Sequence, residues 1–146
     1  MKSQIQSVEV TYLVHATEDP AKIEGATREL LGVEVDAELQ RLEGHFGNEI
    51  TMVRFHVTGA DGDSAVSRVF SRMSGRLRKE VASGVGSFVD EHSALFLRFD
   101  KQSLVQGSLV LGSGDAVRVK VKPRLFGMNG RAGDFYARLL EEGHGD

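Results

Sequence analysis

The chain has 146 residues, 40% of them hydrophobic and 27% charged, with a formal net charge of −3, which suits one domain folded around one core. It contains no Cys, so a disulfide framework, thiolate metal ligation and a Cys nucleophile are excluded. No apolar run approaches the ~18–20 residues of a membrane span and Met1–Gln6 carries no apolar signal core, so a cytoplasmic protein with no membrane partner is expected.

In chain order, residues 7–15 alternate, with Val8, Val10, Tyr12 and Val14 on one face, and predict a half-buried strand. Thr17 or Asp19 then caps a helix with Pro20 in its first turn, which ends at Gly32. Strands follow over about 33–42 and 49–58, joined by a hairpin loop over 43–48 that contains Gly44 and Gly47. The segment Asp61-Gly62-Asp63-Ser64 predicts the cap of a long helix over 64–79, whose apolar face is Val66, Val69, Phe70, Met73 and Leu77. Residues 81–92 read as a short helix or an irregular link, and 94–99 as a strand. A single helical turn ending at Gly107, a short strand over 108–111 and a last strand over 116–122 come next. A helix over about 132–142 closes the chain, with 143–146 fraying. The strands exceed what strict βαβ alternation supplies and include a hairpin. The expected class is therefore α+β, with a mostly antiparallel or mixed sheet and helices packed on one face.

Charge is distributed unevenly. Residues 1–60 carry five Lys and Arg against ten Asp and Glu, whereas 61–125 carry eleven against seven. The middle of the chain is thus the part that attracts an anionic partner. Arg68, Arg72, Arg76 and Lys79 recur at i, i+4, i+8 and i+11, one stripe of the predicted long helix, with no acidic residue among them. Arg118, Lys120, Lys122 and Arg124 alternate with Val117, Val119 and Val121, which puts cations on one sheet face and valines on the other. Such a row can follow a phosphate backbone; it also serves an exposed edge guarded by charge. In the 43–48 loop, His45 and Phe46 can stack on unpaired bases and Asn48 can bond a base edge.

Signals for catalysis are sparse. His15, His45, His56 and His92 share no helical or short-loop ligand spacing, so no metal site and no cofactor are expected. No Walker-type loop or G-x-S-x-G turn is present. Asp100 reads as the cap of the following turn rather than as a partner of Arg98 or Lys101.

The motifs His15-Ala16-Thr17-Glu18-Asp19, Leu42-Glu43-Gly44-His45-Phe46-Gly47-Asn48, Leu97-Arg98-Phe99-Asp100-Lys101-Gln102 and Gly114-Asp115 before the basic strand occur in this order. Together they resemble an archaeal family of small RNA-binding-domain proteins, often labelled predicted exosome subunits, over about residues 8–124. Glu49 and Ser103-Leu104 depart from the family pattern, where Pro and an Ala-aromatic pair are expected. The resemblance implies a fold similar to the ribosomal protein that binds the small RNA of the large subunit. It also implies RNA as ligand and RNA-processing proteins such as the exosome as partners.

The expected function is a non-catalytic RNA-binding module. Its candidate contacts are Arg68, Arg72, Arg76, Lys79, Arg118, Lys120, Lys122 and Arg124 for phosphate, His45, Phe46 and Asn48 for bases or sugar, and Arg98 and Lys101 in roles left open. An alternative is an interaction module, in which the acidic first 60 residues meet the basic surface of a second copy, giving a homodimer, or of another protein. A third is a hydrolase that uses His15, His45 or His56 with Asp100 or Glu43.

Overall fold

The computed structural model describes residues 4–44, 47–124 and 132–142. His45 and Phe46 of the hairpin loop, and the 143–146 tail, lie outside them. Five strands form one antiparallel sheet: β1 (Ile5–His15), β2 (Ala37–Glu43), β3 (Glu49–Thr58), β4 (Leu95–Asp100) and β5 (Ala116–Pro123), in spatial order β2-β3-β1-β5-β4. The helices are α1 (Pro20–Leu31), α2 (Gly59–Arg72), α3 (Gly75–Ser83), α4 (Lys101–Val105) and α5 (Ala132–Glu142), with a 3₁₀ turn at Val85–Phe88. This is the α+β class expected from the sequence.

Period-2 patterning sets the sheet's two sides. Val8, Val10 and Tyr12 of β1, Val53, Phe55 and Val57 of β3, and Val117, Val119 and Val121 of β5 point to one side and are buried. Against them pack Leu30 and Leu31 of α1, Val66, Val69 and Phe70 of α2, Leu77 of α3, Leu104 of α4 and Leu140 of α5, in a single core. The opposite face of the sheet carries no helix of the described chain. Among the described residues, no helix is long and apolar enough to cross a membrane.

Local chemistry explains most boundaries. Asp19 accepts the Ala21 N–H at 3.0 Å and Pro20 opens α1, while Gly32 at φ 67° closes it. Three expectations are corrected. The strand expected from residue 33 begins at Ala37. The helix expected over 64–79 starts five residues earlier, at Gly59, because Asp63 accepts the Ile5 N–H at 3.0 Å instead of capping the helix. It also breaks at Met73, whose extended backbone (ψ 139°) lets Ser74 accept the Leu77 N–H and start α3. Gly75 therefore opens α3.

The strand expected over 108–111 reduces to one bridge. Leu111 pairs with Phe99, the Asp100 N–H donates to Val110 O at 2.7 Å, and the Gly112 N–H donates to Arg98 O at 2.9 Å. On the other half of the same edge, Val89 bridges Leu95. Two irregular segments thus cover the ends of β4's outer edge and blunt it against strand addition.

Gly112 sits so close to β4 that a Cβ would lie 2.9 Å from Asp100 Cα and 3.0 Å from its nitrogen. Backbone atoms cannot yield as a flexible side chain does. Gly112→Ala is expected to cost about 1–3 kcal/mol, read as a lower urea midpoint with an unchanged m-value.

Candidate nucleic-acid interface on the open sheet face

Strand register assembles the uncovered face in rows. One row runs Glu38, Arg54, Thr11, Arg118, Arg98 from β2 to β4, and the next runs His56, Glu9, Lys120, Phe96 from β3 to β4. The acids in these rows lie on β2 and β1: Glu38 holds Arg54 at 2.6 Å, and Glu9 lies 3.6 Å from His56 and stands opposite Lys120 in the strand register. The β5–β4 side is cationic. Arg98 stands directly opposite Arg118, next to Lys120 and Lys122, and among the described residues none of the four makes an ion pair. Arg124 follows the strand, exposed, with its N–H bonded to Gln4 O at 3.0 Å.

Like charges directly opposite across two strands repel, and no ion pair among the described residues relieves Arg98 and Arg118. Phe96 lies between: the Arg118 guanidinium sits 5.7 Å and the Lys120 ammonium 5.4 Å from its ring centre. The ring's negative face holds both cations over the sheet. Phe96 is not among the candidates that the sequence motifs single out. Alternation does carry the signal, because Leu95, Leu97 and Phe99 take the core phase of β4 and leave Phe96 and Arg98 in the cation phase.

The other sequence candidates go elsewhere. Arg68 and Arg72 belong to α2, and Arg76 and Lys79 to α3, on the far side of the sheet from β5's cations. The two basic stripes are not contiguous, and the break at Met73 ends the continuous helical stripe. Arg68 is anchored there, with Nε donating to Glu29 O at 2.7 Å and its stem over Gly32. Asn48 is exposed at the β2–β3 turn, where its carbonyl accepts the Gly44 N–H at 2.7 Å.

Lys101 is buried, and its ammonium is spent inside the protein. Nζ donates to Leu13 O at 2.6 Å, to Glu18 at 3.1 Å and to Asp115 at 2.9 Å. His15 Nε2 lies 3.0 Å from the same Asp115 oxygen, and the His15 N–H donates to Glu18. Residues 15, 18, 101 and 115, scattered over three sequence motifs, therefore meet in one cluster. The ligand atoms of His15, Glu18 and Asp115 lie within 4.8 Å of one another, an arrangement suited to a cation, and the Lys101 ammonium already supplies one. Beside it, Asp100 accepts from the Ser103 hydroxyl and N–H, which hold its carboxyl below the ordinary range and cap α4.

An RNA-binding family model matches residues 7–123. The chain belongs to this family. It is 29% identical to the RNA-binding protein PAB1135 of Pyrococcus abyssi, over 90% of each chain. In structure it is similar to protein AF2318 from Archaeglobus fulgidus (TM-score 0.79, 25% identity, 93% of this chain and 99% of that one). It is also similar to Mth689 from Methanothermobacter thermautotrophicus (TM-score 0.76, 26% identity, 94% and 99%).

In this member of the RNA-binding family, the Lys101 cluster ties β1, the start of α1, α4 and the approach to β5 together. Removing the ammonium leaves two carboxylates facing each other and Leu13 O without its donor. Lys101→Met is expected to lower stability by about 2–3 kcal/mol, less than for a fully enclosed pair because Glu18 and Asp115 reach water. Thermal unfolding followed by circular dichroism checks this.

Proposed function

We propose that the protein binds RNA through the β5–β4 side of its open sheet face, without acting on it chemically. Phosphates would lie along Arg98, Arg118, Lys120, Lys122 and Arg124. The observation that carries this reading is the direct opposition of Arg98 and Arg118, neither of which makes an ion pair among the described residues. A phosphate bridging two guanidinium groups removes their repulsion and gains charge-assisted hydrogen bonds. Alternate residues on β5 are spaced about 6.6 Å apart, a pitch that lets successive cations meet successive phosphates of an extended strand. Membership of an RNA-binding family supports the same ligand.

A purely structural role for the cations fits less well. Arg98 and Arg118 have no ion-pair partner among the described residues, and β4 already shields the outer edge of β5. The non-catalytic reading is supported by the Lys101 cluster, where Asp115 and Glu18 are committed to the ammonium.

Binding of a labelled single-stranded RNA, followed by anisotropy across a salt series, tests the reading. A linear fall of log K with log salt is expected. The pair Lys120→Glu and Lys122→Glu should weaken binding by at least about tenfold and make the salt slope shallower by about 0.7 for each phosphate left without its cation. The same charge change on the helix side, Arg76→Glu with Lys79→Glu, should weaken it by less than about threefold. Equal weakening in the two variants would show that net charge, not this face, governs binding.

A further inference from the structure

Beyond the cation row, a groove of about 360 Å³ opens at the outer edge of β4, lined by Phe88, Val89, Asp90, Phe96, Arg98 and Leu111 among others. It exists because the covering segments reach only the two ends of that edge: Val89 bridges Leu95, Leu111 bridges Phe99, and the middle of β4 stays open between them. The Arg98 carbonyl accepts the Gly112 N–H, so alternation along the strand turns the Arg98 N–H to the same outer edge, facing the groove.

We infer that this groove is a nucleobase site, taking one unpaired base of a single-stranded RNA whose phosphates lie on the neighbouring cations. The inference rests on the open-face reading above and names its substrate class. Four observations lead to a base rather than to another ligand. The walls are aromatic and aliphatic, from Phe88, Phe96, Val89 and Leu111, and suit a flat, weakly polar ring. Phe96 belongs both to the groove and to the cation row, so a nucleotide with its phosphate near Arg118 and Lys120 has its base beside the ring.

Asp90 contributes a carboxylate that repels phosphate but can accept from an amino group on a base edge. Its position is built: Oδ1 accepts the N–H groups of His92 and Ala94, both at 2.9 Å. Burial alone would raise its carboxyl, but those two N–H groups, with His92 and Lys120 nearby, hold it below the ordinary range. Finally, the Arg98 N–H gives the groove a donor beside this acceptor, the combination that reads an edge rather than a charge. A base inside a duplex is stacked and paired, and cannot enter.

The test uses the full chain and three variants at Phe96, a partly exposed position. Phe96→Leu keeps apolar bulk and removes the π face; it should weaken binding of oligoadenylate about tenfold, with Phe96→Tyr restoring it. Duplex RNA, which places no base in the groove, should lose less affinity than oligoadenylate in Phe96→Leu. The chain has no Trp, so Phe96→Trp places one reporter in the groove, and its emission should be quenched when oligoadenylate stacks on it. Wild-type affinity in Phe96→Leu, or unquenched emission at saturating RNA, overturns the base site; the phosphate face survives if charge reversal at Lys120 and Lys122 still weakens binding by at least about tenfold. No RNA binding by the wild-type protein, even at low salt, overturns both readings.

Discussion

The molecule depends on the two-sidedness of β5 and of the strands beside it. Val117, Val119 and Val121 are buried against the helices, and a slip of one residue in register would exchange those valines for Arg118, Lys120 and Lys122 in the core. Burying unpaired cations is far costlier than exposing valines. The same constraint that closes the core therefore obliges the cations to stand together on the opposite face. There the pairing of β4 with β5 sets Arg98 against Arg118 and Phe96 against Lys120. The repulsion is tolerated because the apolar face more than offsets it, and it leaves a surface predisposed to an anionic partner.

The Lys101 cluster handles charge in the opposite way. Here a single ammonium is drawn inside and satisfied by a backbone carbonyl and two carboxylates, so that strands and helices distant in sequence share one cation. Part of the family resemblance rests on the residues of this cluster and its neighbour Asp100. Their geometry assigns them to holding the fold: Asp100 caps α4, Glu18 receives the His15 N–H, and Asp115 joins Lys101 to His15. The motif residues His15, Glu18, Asp100, Lys101 and Asp115 thus hold the fold, while Arg98 and the basic strand that follows Asp115 stand on the open face.

Period-2 and helical patterning make most of the architecture legible. The β1 and β3 strands, the capped α1, the single turn of α4 and the closing α5 are all readable, because local sequence specifies caps, alternation and apolar stripes. The exceptions share one cause. Asp63 and Ser74 are good capping residues, and only tertiary context decides that Asp63 serves Ile5 across the fold while Ser74 starts a new helix. Residues 108–111 have strand-like composition, yet a close approach of Gly112 to β4 leaves room for one bridge and no ladder.

By itself the sequence determined the class of fold, the face of β5 on which its cations lie and the cap at Asp100. Each follows from contacts between near neighbours along the chain. Tertiary structure decided which cations are neighbours. Strand order brings Arg98 and Phe96 to Arg118 and Lys120, the sheet separates that group from Arg68 to Lys79, and motif residues far apart in the chain converge on Lys101 rather than on a ligand. Strand order and the burial of one ammonium depend on long-range packing, which the spacing of residues within any one segment does not encode.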